Sequence, residues 1–237
     1  ISTKEKRKRI FVPLTDNNQY KRQLYIKLYP LSGDLRIHAP VDVRIRSHPE
    51  YSRQVGVAFG MFTMLTTDEG HCYGEEFGRY QLDYADWLRS QAASYQRNRA
   101  NNPGRKKYNA KKRRYEEQLH SYINHALNDF IQKEKPQTVY MAKLPKPRAG
   151  GVDRRIIHSV SVWQRGYIRR RLVQKCREES VELIEVFGKG ISTECSRCGS
   201  EGMKKDKVFT CPECGLRTEE KVNTARNVKK RGGAFSC

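Results

Sequence analysis

Cys195-Ser-Arg-Cys198 and Cys211-Pro-Glu-Cys214 are two Cys-x-x-Cys pairs about a dozen residues apart. Each pair can fold into a tight knuckle, and two knuckles can close a tetrahedral thiolate site, the pattern of a structural Zn2+ ribbon. Gly199 and Gly215 each follow the second cysteine of a pair. A knuckle often needs positive φ there, which glycine adopts at no steric cost. Two disulfides or four unrelated thiols are the competing readings. Disulfides need an oxidising compartment, and no apolar signal segment follows the basic opening Lys4-Glu-Lys-Arg-Lys-Arg9. Cys72, Cys176 and Cys237 fit no pairing pattern.

The second chemical feature is charge. The chain has 237 residues and a formal net charge of +21, from 47 Lys and Arg against 26 Asp and Glu. That balance argues against an enzyme of small metabolites and points to a polyanion, with nucleic acid the leading partner. A membrane surface is the weaker partner, because no long apolar run exists. The cations cluster. Arg105, Lys106, Lys107, Lys111, Lys112, Arg113 and Arg114 crowd the first turns of a predicted helix, where they oppose its macrodipole. Arg165, Arg169, Arg170 and Arg171 line another helix. Both groups are candidate phosphate contacts, against the plainer reading of solvated helix faces.

These groups are positioned by a mixed set of elements. Residues 1–50 read as β, with runs at Arg9–Pro13, Leu24–Tyr29, Leu35–His38 and Val41–Ile45, and turns at Asp16-Asn-Asn and Ser32-Gly-Asp. Their alternation predicts one packed face and one basic face. Gln54–Gly60, Phe62–Thr67 and His71–Gly74 form a second β unit. A helix is expected over Leu82–Asn98, broken at Asn101-Asn-Pro-Gly104, and a second over Arg105–Lys133 with apolar residues at spacings of three and four. A strand at Thr138–Ala142 leads to a loop holding Pro145, Pro147, Gly150 and Gly151. A third helix spans Arg154–Glu179, a strand Val181–Phe187, and the last helix begins near Val222 and ends at Gly232-Gly233. The fold class is α/β with a mixed sheet. The chain opens on Ile1 without a start signal for any element, and is read as a piece of a longer one.

The order of these pieces resembles the RuvC nuclease region of the transposon-encoded TnpB proteins and the compact type V CRISPR effectors. Val55-Gly-Val-Ala-Phe-Gly60 and the hairpin through Gly70 resemble the first RuvC motif. Asn128-Asp-Phe130 and Val139–Leu144 resemble the approach to the second. Trp163–Cys176 and Val181–Val186 precede a ribbon similar to the family's, Ser192–Gly199 with Cys211–Gly215, and Asn223, Ala225 and Asn227 match the last motif. The resemblance implies an RNase H-like domain over 51–188, a zinc ribbon over 189–218 inserted before the last helix, and that helix with its tail over 219–237. Less specifically, it implies that residues 1–50 end a guide-RNA-holding β-barrel (wedge) domain.

The family's chemistry is phosphodiester cleavage by two divalent ions held by three carboxylates. Here those positions carry Ala58, Ala142 and Lys221. Two methyl groups and an ammonium cannot hold a hard cation, so no catalytic Mg2+ is expected. The expectation is an RNA-guided DNA-binding protein, cytoplasmic and nucleoid-associated, that does not cut. Its partners would be guide RNA and target DNA, with a recruited protein as a further possibility. The alternatives are a nuclease with relocated ligands at Asp68, Glu185 or Glu220, or a transposon remnant with general nucleic-acid binding.

Overall fold

The computed structural model describes residues 4–11, 19–29, 34–40, 42–97, 106–143, 158–160 and 162–234. The chain divides into two compact units, residues 1–43 and 44–237. Several expected features lie outside the described residues: the turns at Asp16 and Ser32, the break at Asn101–Gly104, the loop from Pro145 to Gly151, and Cys237.

In the first unit, β1 (Tyr25–Tyr29) and β2 (Asp34–His38) pair antiparallel, with Tyr25 opposite His38 and Tyr29 opposite Asp34. Tyr25, Ile26, Leu28 and Leu35 are all exposed. The expected packed face is therefore not formed among the described residues. Two strands alone have no second layer to bury against. Lys27 and Arg36 instead lie over the Tyr29 ring, at 5.1 and 4.9 Å from its centroid. Arg22 pairs with Asp42 at 2.7 Å. Residues 42–45, expected as a strand, are extended without sheet partners, and Val43 and Ile45 are exposed.

The second unit is built on a five-stranded sheet of β3 (Arg53–Phe59), β4 (Leu65–Thr67), β5 (Cys72–Tyr73), β6 (Pro136–Lys143) and β7 (Glu182–Phe187). Its spatial order is β5-β4-β3-β6-β7. The first three run antiparallel as successive hairpins, whereas β3, β6 and β7 are parallel. Parallel neighbours need long crossovers. The first crossover holds α1 (Phe77–Arg97) and α2 (Lys106–Glu134), and the second holds α3 (Arg165–Glu178). The ribbon strands β8 (Met203–Lys205), β9 (Val208–Thr210) and β10 (Arg217–Glu219) form a separate small sheet before α4 (Glu220–Gly233).

The central strands are apolar on both faces because both faces are covered. Val55, Val57 and Phe59 of β3 and Val139 and Met141 of β6 face α1, α2 and α3, joining Leu119, Ile123, Leu127, Ile168 and Leu172 in one core. Each such side chain contributes about 1.5–3 kcal/mol by its burial. The intervening residues face α4, where Tyr140, Val186, Ile191 and Val228 form a smaller core. Gly56 sits on that second face. A Cβ there would lie 2.2 Å from the Ala225 carbonyl oxygen, so only glycine lets α4 approach β3 this closely.

Two helix starts differ from expectation. α1 begins at Phe77 rather than Leu82, so Gly78 lies inside its first turn. α3 begins at Arg165 rather than Arg154. Residues 158–160 are helical, but a turn at 162–164 separates them from α3, and residues 154–157 lie outside the described set.

Candidate metal centre and nucleic-acid interface

The two knuckles bring Cys195, Cys198, Cys211 and Cys214 together, with all four sulfurs within 4.8 Å of one another. Cys195 Sγ lies 3.6 Å from Cys214 Sγ, and Cys198 Sγ lies 3.5 Å from Cys211 Sγ. Four sulfurs at about 2.3 Å from a tetrahedral zinc would be roughly 3.8 Å apart, so the donor set fits that ion. Gly199 and Gly215 adopt φ of 83° and 68°, as the knuckle reading requires. Each donates its backbone N–H to the first cysteine's carbonyl, at 2.9 and 3.1 Å. Among the described residues, this is the one group of three or more metal-ligating side chains close enough to share an ion.

The thiols compete for ionisation. The backbone N–H and hydroxyl of Ser200 pull Cys198 down to about 6. Leu216 N–H favours the Cys214 thiolate too, but burial and three neighbouring sulfurs outweigh it and push Cys214 up to about 12. Adjacent thiolates repel, and a bound dication relieves that conflict.

The ribbon is joined to α4 by two asparagines. Asn223 Oδ1 accepts from the Ser196 N–H inside the first knuckle at 2.9 Å, and its Nδ2 donates to the Glu194 carbonyl at 2.8 Å. Asn227 Nδ2 donates to the carbonyls of Ile191 and Glu194, at 3.0 and 2.6 Å. Arg231 donates to the carbonyls of Phe187 and Lys189, at 2.8 and 2.9 Å, and pairs with Glu194. The helical spacing of the two asparagines marks them in the sequence as one face; nothing there marks Glu194 or Arg231 as their companions.

The three positions Ala58, Ala142 and Lys221 converge on one end of the sheet. Val57 and Met141 are register partners on parallel strands, and one residue further along stand Ala58 and Ala142. Both face α4, because Gly56 and Tyr140, two residues earlier, do so. Lys221 is in the first turn of α4, and a Cβ placed on Gly60 would lie 3.8 Å from its Cε.

The three other carboxylates considered are committed elsewhere. Asp68 is buried; its Oδ1 accepts from Gly56 N at 2.9 Å and its Oδ2 pairs with Lys229 Nζ at 2.7 Å. Glu185 is the register partner of Met141, so it faces α3, away from Ala142, and pairs there with Arg169. Glu220 pairs with its neighbour Lys221 at 3.5 Å.

The candidate phosphate contacts divide in the same way. Arg105 lies outside the described residues, as does the side chain of Lys106. Lys107, Lys111, Arg113 and Arg114 are exposed on one stretch of α2. Lys112 and Arg113 pair within the helix with Glu116 and Glu117, at 3.8 and 3.6 Å. Such surface pairs are weak and exchange readily for phosphate. Lys111 also lies 5.9 Å from the Trp87 ring centroid. On α3, Arg165 lies over Trp163 at 5.5 Å, and burial lowers its pKa. Arg169 is held by Glu185, and Arg171 Nε donates to Asn124 at 2.8 Å, while Arg170 is exposed.

These elements have relatives. Residues 166–228, which cover α3, β7, the ribbon and most of α4, match the family described as Cas12f1-like, TNB domain. A CRISPR-Cas12f ternary complex shares the fold, with a TM-score of 0.55 at 18% identity over 82% of this chain and 41% of that chain. A Cas12f1-sgRNA-target DNA complex is matched at 18% identity over 82% of this chain and 52% of that chain, with a TM-score of 0.48. The chain thus spans about half, or less, of the length of these structures. No curated protein matches it in sequence. The class is therefore a mixed α/β protein with the fold seen in Cas12f. Within that class, the sequence likeness to the Cas12f1-like TNB domain rests on residues 166–228, about a quarter of the chain. No helix among the described residues is long and apolar enough to cross a membrane.

Proposed function

We propose that the chain is the RuvC-like part of an RNA-guided DNA-binding protein that occupies its target without cutting it. The observation that carries the proposal is the placement of Ala58 and Ala142 one residue beyond the last register pair, Val57 with Met141, at adjacent ends of β3 and β6, with Lys221 beside Gly60. Metal-assisted cleavage needs oxygen ligands converging on one point. Methyl groups offer none, and an ammonium in a partly desolvated place opposes a divalent ion. The relocated-ligand alternative is weakened by geometry, since Asp68 is held by Gly56 and Lys229 and Glu185 lies on the opposite face of the sheet. The sheet order, three antiparallel strands followed by two parallel ones, supports the RNase H-like reading of the domain.

In this reading, base pairing of a guide RNA supplies sequence recognition, and the protein holds backbone and displaced strand. The relative solved with sgRNA and target DNA is in keeping with those partners. The consequence of binding would be occlusion of a promoter or recruitment of a second protein. Four thiolates would hold a structural zinc.

The test starts from RNA that copurifies with the protein, sequenced and supplied with its matching DNA and magnesium or manganese. Retention of matched DNA without cutting above a no-protein control is expected. Specific cleavage refutes the proposal. Recovery of cutting by Ala58→Asp with Ala142→Glu and Lys221→Asp identifies the three positions as the former ligand sites.

A further inference from the structure

The sheet end that carries Ala58 also carries an aromatic ring and two ammonium groups. Phe62, in the loop between β3 and β4, keeps 44% of its surface exposed. It is nevertheless firmly held, because its carbonyl accepts from Gly78 N at the start of α1 at 2.7 Å. Lys207, from the turn between β8 and β9, places its Nζ 5.9 Å from the Phe62 ring centroid. That turn is fixed as well. Asp206 and Lys207 adopt positive φ of 50° and 64°, and the Lys207 carbonyl accepts from Glu220 N at 2.8 Å. The next residue is Lys221, whose Cε lies beside Gly60, two residues before Phe62. The three side chains thus come from the first hairpin, the ribbon and α4, and meet at one lip.

Among the described residues no carboxylate pairs with Lys207, and Lys221 has only its sequence neighbour Glu220, at 3.5 Å. A lysine in the first turn of a helix opposes the macrodipole, so Lys221 adds to a positive end rather than balancing it. An exposed aromatic flanked by fixed cations is the arrangement that holds an unpaired strand, with a base stacked on the ring and phosphates against the ammonium groups. A duplex offers the phosphates but keeps its bases inside the stack.

We infer that Phe62, Lys207 and Lys221 form a single-strand clamp that needs no divalent ion, with the Lys221 ammonium supplying positive charge at a phosphate where the resembled nucleases use metal. This rests on the reading of the chain as a nucleic-acid binder, but not on a guide or on absence of cleavage.

The test uses the full chain without guide RNA, in magnesium-free buffer, and fluorescent oligothymidylate, oligouridylate and a DNA duplex of equal length. Phe62→Leu is expected to weaken binding of the unpaired strands about tenfold, the scale of one lost stacking contact. Phe62→Tyr keeps it near wild type, and Lys207→Ala with Lys221→Ala weakens it further. Duplex affinity changes less than twofold in the two Phe62 variants, and the lysine double variant lowers it by less than it lowers single-strand binding. The tighter of the two unpaired strands names the natural one. Equal losses for single strand and duplex overturn the clamp, as does Phe62→Leu at wild-type affinity in a protein with unchanged melting. A magnesium requirement for wild-type binding overturns it too. Arg113→Ala with Arg114→Ala is the contrast, since it weakens all three ligands together and flattens the salt dependence. If the guided assay fails while this clamp binds, the proposed function falls and the clamp stands.

Discussion

The ribbon joint and the strand end both draw on α4, through Asn223, Asn227 and Arg231 for the one and Lys221 for the other, and the side chains at the two places differ in kind. At the joint the donors are matched to backbone carbonyls: Asn223 to Glu194, Asn227 to Ile191 and Glu194, Arg231 to Phe187 and Lys189, and Asn223 Oδ1 accepts from Ser196, while Asn227 Oδ1 is buried without a partner among the described residues. At the strand end Ala58 and Ala142 have no polar atoms to place, and Lys221 has only Glu220. The difference shows that the framework around α4 does not depend on carboxylates at the sheet end. It is held by the Asn223 and Asn227 amides, by Asp68 between Gly56 and Lys229, and by close packing at Gly56, none of which involves Ala58, Ala142 or Lys221.

The largest effect that would sharpen this contrast is metal loss. Cys195→Ser or Cys211→Ser should abolish a one-to-one zinc content and unfold the ribbon, because structural zinc sites of this type carry on the order of 10 kcal/mol of apparent binding energy. Phe209, which packs against Cys195 and Cys211, should become exposed. Metal analysis and intrinsic stability measured by denaturant decide it. A variant that stays folded with full zinc content would show that the ribbon's sulfurs are not its anchor.

Close packing comes next. Gly56→Ala places a methyl group 2.2 Å from the Ala225 carbonyl, so α4 must move off β3. A cost of about 3 kcal/mol or more is expected, at the upper end of overpacking penalties. Ala142→Glu, at a partly buried position packed against the smaller core, should cost less, about 1–2 kcal/mol. Equal losses in the two variants would erase the distinction between framework and strand end.

The asparagine joint is smaller. Asn227→Ala takes a donor from the buried Ile191 carbonyl and one of two from Glu194, but also removes the buried, unpartnered Oδ1, and should cost roughly 1 kcal/mol. Asn223→Ala should cost less, because the Ser196 amide at the knuckle surface can turn to water. If neither change moves stability or zinc affinity, the pair belongs to the strand end's chemistry and not to the joint.

What was readable in the sequence follows the range of the interactions. The cysteine cluster is built from two local turns, so four cysteines and two glycines announced it. α2 is long and its apolar stripe from Tyr115 to Phe130 repeats at three and four, which gave its limits within a residue or so. β3 and β6 showed as short apolar runs, but their adjacency, and hence the meeting of Ala58 and Ala142, is a pairing across some eighty residues that no local pattern encodes. The start of α3 was misplaced because Val160 and Trp163 continue the apolar spacing of Tyr167 and Leu172 through the turn at 162–164. Periodicity counts side chains and does not detect a broken turn. The hairpin alternation in β1 and β2 implied a packed face that those two strands, by themselves, do not bury. Phe62 and Lys207 carried no signal, since their approach depends on the ribbon folding back to the first hairpin.

The smallest expected effect concerns pH, and it separates framework from strand end by titration. Alanines do not titrate, so Ala58 and Ala142 give the strand end no acid-range dependence of the kind a carboxylate cluster would bring. The framework has its own sensor at His48. His48 Nε2 lies 2.8 Å from Glu179 Oε2 and Nδ1 lies 3.1 Å from Glu50 Oε1. Both partners accept as carboxylates, so the protonated ring, with both nitrogens donating, satisfies the two at once. Arg46 also pairs with Glu179 at 2.9 Å, and Tyr51 stacks on the ring at 4.3 Å. Hydrogen bonds to Glu179 and then Glu50 raise the His48 pKa above 6.5, against the opposing effect of burial. A raised pKa in the folded state means stability that is complete below about 6.5 and is lost as pH climbs through the folded value. The wild type should therefore lose a small part of its stability across the neutral range, and His48→Gln, which cannot carry the charge, should flatten that slope. Denaturant titrations of both proteins from pH 6 to 8.5 measure it, with Arg46 and Glu179 unchanged. An identical slope in the variant would assign the neutral-range dependence elsewhere, and a slope that instead follows Ala142→Glu would place it at the strand end after all.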